Sequence, residues 1–352
     1  MPSLHQRLAG SLFEQRRELA SRVAEKNLAE QPEYLERFGA IARRRCVEDA
    51  EFHLQYLSHA IRLATPSLFT SYAQWARQLL EARRIAWSDL QRNLEILREE
   101  LERELSEEDA ALVREYIGEA LNAEPLGTES LLAATPREPL ARTYLTALLR
   151  TQRRVAGEII DTAVRNGLSI RDLYLDVFQP VQREVGRLWQ NNEISVAQEH
   201  YCTASTQWLM AQFYPQILAT PRVGRTVVVA CVGNELHEIG ARMVADFFEM
   251  AGWDSVYIGA NTPTQALIEL VCRERPDLIA LGVTMTYHLG TAATLVEHLR
   301  ADTRCSDVKI IAGGYVFRHH HDLWRSLGVD GFAADAAEAV ALGTELTDGT
   351  GR

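Results

Sequence analysis

From residue 2 to about residue 121, apolar residues recur every three to four positions without period-two alternation, so this stretch is expected to be helix after helix. Turn signals at Glu30-Gln31-Pro32, Thr65-Pro66-Ser67 and Ser106-Glu107-Glu108-Asp109 divide it, and Ser106 followed by Asp109 has capping-box character. The charged run 95–108 reads as a solvated helix face. Pro125, Gly127, Pro136 and Pro139 then gather among small polar residues, which marks 122–139 as a linker. A second helical pattern fills 140–220. Breaks near Thr151, at 165–169 and at 191–195 divide it into a four-helix bundle. At residue 226 the pattern changes. Short β-branched runs at 227–232, 255–258, 278–283, 308–312 and 331–333 alternate with helical segments, which predicts a five-stranded, doubly wound parallel sheet within an α/β domain at 221–352. The fold class is therefore α plus α/β: an all-α domain at 1–121, the linker, the bundle and the sheet domain. Ligands of such a sheet lie beyond the carboxyl ends of its strands, where His237, Thr284 and Gly313 fall.

Composition narrows the function more than the fold. The chain has 352 residues, enough for two or three domains, and a formal net charge of −11, which opposes nucleic-acid binding. The first 121 residues carry 17 Arg and Lys against 21 Asp and Glu, so no basic DNA-reading module is expected there. No apolar run approaches the ~20 residues of a membrane span. Met1-Pro2-Ser3-Leu4-His5-Gln6 has no signal-peptide pattern, so a cytoplasmic protein with no membrane partner is expected. Cys46, Cys202, Cys231, Cys272 and Cys305 show no C-x-x-C spacing and read as reduced, mostly buried thiols.

The chemistry concentrates at the strand ends. Glu235-Leu236-His237-Glu238-Ile239-Gly240 sets one imidazole in a strand-to-helix turn, with Thr284-x-Thr286 and then Gly313-Gly314 downstream; 43 residues separate Gly240 from Thr284 and 26 separate Thr286 from Gly313. The set resembles the flavodoxin-like cobalamin-binding domain, whose pattern is D-x-H-x-x-G, S-x-L and G-G. The resemblance implies that His237 is the lower axial ligand of cobalt, with Leu236, Ile239 and Gly240 in the same site. It further implies that the cofactor's displaced nucleotide tail runs past Thr284, Thr286, Gly313 and Gly314. Glu235 can accept the other N–H of His237 and fix its tautomer, and the two threonines supply hydroxyl groups to the tail. Glu for Asp at 235 keeps a carboxylate, whereas the threonines keep hydroxyls and lose the leucine.

In the bundle, nine residues lie between Trp189 and the pair Glu199-His200. This resembles the W-x9-E-H motif of light-sensing cobalamin repressors, in which a helical bundle caps the upper face of adenosylcobalamin. By that resemblance Trp189 packs against the adenosyl group, Glu199 hydrogen-bonds it, and His200 ligates cobalt after light has broken the cobalt–carbon bond. A core tryptophan and a satisfied helix histidine are the plainer alternatives. The first domain departs from those repressors, which carry a winged helix there.

In the first domain Arg45, Asp49, His53 and Tyr56 recur along one helical face, followed by Tyr72 and Trp75. A cation for propionates, a carboxylate or imidazole for pyrrole N–H groups and aromatic rings for stacking together suit a tetrapyrrole. The combination resembles the photocobilins, photoreceptors that hold cobalamin and biliverdin. Biliverdin is the pigment this implies, with haem on His53 or His59 in a globin-like pocket, or a bundle that only mediates dimerisation, as alternatives; Cys46 is a further possible bilin tether. The expected function is a light sensor rather than an enzyme. Only residues 344–352 follow Gly343, so the signal is expected to pass through a light-dependent homo-oligomer or an unidentified protein partner. A corrinoid protein serving methyl transfer is the competing class.

Overall fold

Ser3 opens the first helix by accepting the Gln6 N–H at 3.2 Å while the Gln6 side chain accepts the Ser3 N–H at 3.0 Å, a reciprocal cap for two otherwise unpaired donors. The structure, a computed structural model, describes residues 3–127, 129–318, 320 and 322–348; the expected domain limits at residues 1 and 352 lie outside them. The chain forms two compact units divided after residue 128.

The first unit contains α1 (Leu4–Glu30), α2 (Glu33–Phe38), α3 (Ala42–Arg62), α4 (Pro66–Glu81), α5 (Trp87–Glu102) and α6 (Glu107–Leu121). The long helix α1 lies along α3 and buries Leu8, Leu12, Leu19 and Val23, while α3 buries Leu54, Leu57 and Ile61. Pro66 starts α4, where its missing N–H costs nothing. Ser106 caps α6 through the Asp109 N–H at 3.2 Å. The break between α4 and α5 has no glycine or proline; Arg84 makes the turn at φ 65°.

The second unit opens on a short 3-10 turn at Leu131–Ala134 inside the expected linker, held to the bundle by the Leu131 N–H on Glu184 at 2.8 Å. The bundle comprises α7 (Glu138–Leu149), α8 (Arg153–Arg165), α9 (Ile170–Leu173) continuing through a π-helical turn at Tyr174–Phe178 into α10 (Gln179–Gln190), and α11 (Val196–Gln212), followed by the short α12 (Tyr214–Ile217). The α/β part then runs β1 (Thr226–Cys231), α13 (Ile239–Met250), β2 (Asp254–Gly259), α14 (Thr264–Glu274), β3 (Leu278–Gly282), α15 (Leu289–Ala301), β4 (Lys309–Gly313), α16 (Leu323–Ser326), β5 (Gly331–Ala333) and α17 (Ala336–Asp348). All pairings are parallel, in the order β2-β1-β3-β4-β5. The strand order reverses between β1 and β3, and the crevice at that switch point is where such sheets hold ligands.

Bundle and sheet domain share a core. Met243 and Phe247 of α13 are buried among bundle residues, and the Tyr174 hydroxyl donates to Asp246 at 2.9 Å. No helix among the described residues is long and apolar enough to cross a membrane. One expectation is corrected: Cys272 and Cys305 are paired as a disulfide with Cα atoms 5.2 Å apart, while Cys46, Cys202 and Cys231 are buried thiols. The end of α14 and the segment after α15 become neighbours only through parallel winding, so their separation of 33 residues carries no spacing signal.

Candidate functional site

The apolar strand β1 ends in a turn that Asn234 makes possible at φ 67°, with its N–H on the Asn261 side chain at 2.9 Å. This turn drives Glu235 inward, to 0% exposure, and leaves its neighbours Leu236 and His237 outside. Glu235 Oε1 accepts the His237 N–H at 3.1 Å and faces His237 Nδ1 at 2.5 Å. Its Oε2 accepts the N–H groups of Thr284 and Met285 at 2.8 and 2.9 Å and lies 3.0 Å from His288 Nδ1. A glutamate thus spans from the end of β1 to the end of β3.

The electrostatics follow from that geometry. Burial alone would raise the Glu235 pKa, but hydrogen bonds from His237 and His288 outweigh it and hold the carboxyl well below the usual carboxylate range. The same carboxylate raises the pKa of His237 against desolvation, and the charge of Glu199 adds to the effect. The network assigns the His237 proton to Nδ1, so Nε2 is the free ligating atom. The His237 side chain is 58% exposed and Leu236 is 70% exposed. Ile239 is half-buried at the start of α13, and a Cβ on Gly240 would meet nothing within 4 Å. An anchored, outward imidazole beside open space is a donor set that fits a cobalt ligand.

Thr284 and Thr286 are half-buried beyond β3; the Thr284 N–H serves Glu235. Gly313 and Gly314 are required by the backbone itself. A Cβ on Gly313 would stand 3.0 Å from the Ala333 carbonyl, and one on Gly314, at φ 120°, would stand 2.1 Å from the Val283 carbonyl.

On the bundle side, Ser195 and Gln198 form a capping box that starts α11 and so places Glu199 and His200 in its first turn. Glu199 pairs with His200 Nδ1 and also accepts the Thr203 hydroxyl at 3.0 Å. Trp189 is half-buried at the edge of the bundle core. Gln207 donates to Glu238 at 2.9 Å, which ties α11 directly to the turn that carries His237. Thus α11, with Glu199 and His200 near its start, is joined to the turn that carries His237. His288 and the Gln207–Glu238 contact were not read from the sequence; a histidine two positions past Thr286 in the same loop was the available signal.

In the first unit Asp49, His53, Tyr56, Tyr72 and Trp75 come together. His53 Nδ1 lies 2.7 Å from the Tyr72 hydroxyl, and Tyr72 stacks on Tyr56 at 3.7 Å, with Trp75 6.3 Å away. Burial pushes the His53 pKa down to about 4. Asp49 reaches the surface yet is crowded enough that desolvation pushes its pKa up to about 6, against the pull of exposed Arg45.

The parallel sheet and the donor set at its strand ends fit a cobalamin-binding module. Residues 225–341 match the B12 binding domain family and residues 140–213 match a second B12 binding domain family, while residues 4–123 match the phycobilisome protein family. The chain is 27% identical over 200 residues to the HTH-type transcriptional repressor CarA of Myxococcus xanthus, covering 56% of this chain and 66% of the repressor. It is 29% identical over 133 residues to dimethylamine corrinoid protein 1 of Methanosarcina acetivorans, covering 38% of this chain and 61% of that protein. The matches thus span just under two thirds of these relatives' lengths. Among solved structures, the monomethylamine corrinoid protein of Methanosarcina barkeri has the same fold, with a TM-score of 0.54 at 18% identity over 59% of this chain and 99% of its own.

Proposed function

We propose that the chain is a cytoplasmic light sensor that holds adenosylcobalamin between bundle and sheet domain and biliverdin in its first unit. The observation that carries the reading is the outward His237 imidazole held on Glu235 at 2.5 Å, with α11, which carries Glu199 and His200, tied to the same turn by the Gln207–Glu238 hydrogen bond of 2.9 Å. When cobalamin is bound, the sheet domain would hold one of its faces and the bundle would cover the other. When bound, adenosylcobalamin supplies a cobalt–carbon bond that light can break. His237 would hold the lower face with its Nδ1–H fixed on Glu235, while Thr284 and Thr286 would hydrogen-bond the nucleotide tail. Trp189 would pack on the adenosyl group and Glu199 would hydrogen-bond it. His200, 75% exposed and paired with Glu199, is the residue free to change partner after illumination. Such a change would move α11, and the Gln207–Glu238 contact would carry the movement to the sheet domain and from there into homo-oligomeric assembly or an unidentified partner.

The biliverdin half rests on the phycobilisome family match and on the His53, Tyr56, Tyr72 and Trp75 cluster, with Arg45 available for a propionate. Both halves are tested by absorption spectra and size-exclusion profiles of protein loaded with adenosylcobalamin and biliverdin, in darkness and after illumination. The expected result is a light-dependent cobalamin spectrum, a red band from the bilin and a shift in elution. Methyl exchange without a light response would replace the sensor by a methyl carrier. A Soret peak without a red band would replace bilin by haem.

A further inference from the structure

Five donors saturate the Glu235 carboxylate, and one of them, His288, belongs to no motif. His288 is 3% exposed at the end of the 3-10 turn Thr286–His288, with its own N–H on the Met285 carbonyl at 2.9 Å and the Tyr287 ring edge-on at 4.1 Å. Its Nε2 is buried without a hydrogen-bond partner. A proton there would be an unsatisfied buried donor, so the network assigns the proton to Nδ1, where it meets Glu235 Oε2.

We propose that His288 is a positioning residue for His237, acting through Glu235; the inference rests on the reading of His237 as the cobalt ligand. The two peptide N–H groups already satisfy Oε2, and a core position without further demand is more readily filled by an apolar side chain than by a ring with one unpartnered nitrogen. What His288 adds is direction. The peptide donors come from one side of the turn after β3, and the imidazole, on the same 3-10 turn, supplies a third bond to the same oxygen. Together they fix the rotation of the carboxylate, so that Oε1 is presented to His237 Nδ1 and Nε2 of His237 is aimed outward. His237, Glu235 and His288 then form a single relay of orientation from the core to the cofactor face.

The test compares His288→Phe, which keeps a ring and loses the donor, with His288→Asn, which loses the ring and keeps a donor near the Nδ1 position. Full-length protein is loaded with aquocobalamin, its affinity is measured by absorbance titration, and the cofactor is reduced to the Co(II) state for electron paramagnetic resonance. Nitrogen splitting that changes on 15N-histidine labelling reports His237 ligation, as distinct from ligation by the cofactor's own base. We expect His288→Phe to weaken binding by about tenfold and to lose part of the nitrogen-split signal, as removal of an outer hydrogen-bond partner does at metal sites, with His288→Asn close to the parent. Equal losses in both variants would make the role one of packing and overturn the proposal, as would no loss in either. If His288→Phe does not fold, a large loss in His288→Asn is by itself contrary to it. A parent spectrum that is insensitive to 15N-histidine labelling and unchanged by His237→Ala instead removes the underlying reading of His237.

Discussion

Two imidazoles in this molecule are surrounded by similar chemistry and are driven in opposite directions. His237 stands at a turn with a buried carboxylate behind it and solvent in front; His53 is buried in a helix face with a tyrosine hydroxyl as its partner. The carboxylate raises the pKa of the first, while burial pushes the second down to about 4. A full countercharge at hydrogen-bond distance outweighs desolvation, whereas a neutral hydroxyl does not. The first arrangement leaves a ligating nitrogen on offer, and the second is a closed hydrogen-bonded pair that a pigment would have to reopen.

The sharpest way to break the contrast is His237→Ala. Cobalamin affinity is expected to fall by about a hundredfold, with loss of the histidine-ligated absorbance spectrum, in a direct titration. A variant that keeps both would show that the outward imidazole is not the ligand.

Acidification addresses the other histidine. In the unfolded chain His53 has its ordinary value of 6.5, and in the folded unit about 4, so the unfolded state takes up more protons between them. Its contribution is complete above pH 6.5 and is lost as pH falls through about 4, a difference of roughly 3 kcal/mol. Urea titrations of the full chain at pH 7 and pH 4, read for the first-unit transition, should show this loss, and His53→Gln should flatten it. A pH-independent first transition in the parent would contradict the burial argument.

Asp246 gives a smaller effect of opposite sign. Burial first, partly offset by the Tyr174 hydroxyl and by Arg242, pushes its pKa up to about 6 from 3.8. Its favourable contribution is therefore full below pH 3.8 and disappears as pH rises through about 6. Asp246→Asn keeps an acceptor for Tyr174 and should stabilise the second unit by about 1–2 kcal/mol at pH 8 and hardly at all at pH 4. Equal stabilisation at both pH values would point to packing instead.

The smallest expected effect sharpens the view of the bundle side. Ser195→Ala removes one half of the cap of α11, at a cost of about 1 kcal/mol, and frays the turn that presents Glu199 and His200. Thermal unfolding should register the cost, and an unchanged midpoint would mean that tertiary contacts alone hold this turn.

Much of this was legible in the chain because burial enforces simple patterns. The strands were foreseen to within a residue or two, because apolar runs in a doubly wound sheet are bounded by polar turns. Glu235 and His237 could be paired because their contact is local, two residues apart. His288 could not be, since it reaches Glu235 across 53 residues through the adjacency of β1 and β3, which no local spacing records. The Cys272–Cys305 pair escaped for the same reason. In the first unit, the i, i+4, i+8 face of α3 was visible, but the partner of His53 is Tyr72 on α4, so the sequence suggested an open polar lining where the folded chain closes a bond. The break at Arg84 carries no glycine or proline and left no mark.

The π-helical turn at Tyr174–Phe178 acts as a phase adjuster in a helix that must obey two neighbours. Upstream, Tyr174 has to meet Asp246 of α13; downstream, the same rod carries Trp189 at the bundle edge. Each residue advances a regular helix by about 100°, so one wider turn lets both ends keep the heading their neighbours demand. Forcing the same residues into a regular α-helix would swing Trp189 by about 100° about the helix axis, with no change to any residue it touches. The heading of that indole is thus written in a length, not in a side chain.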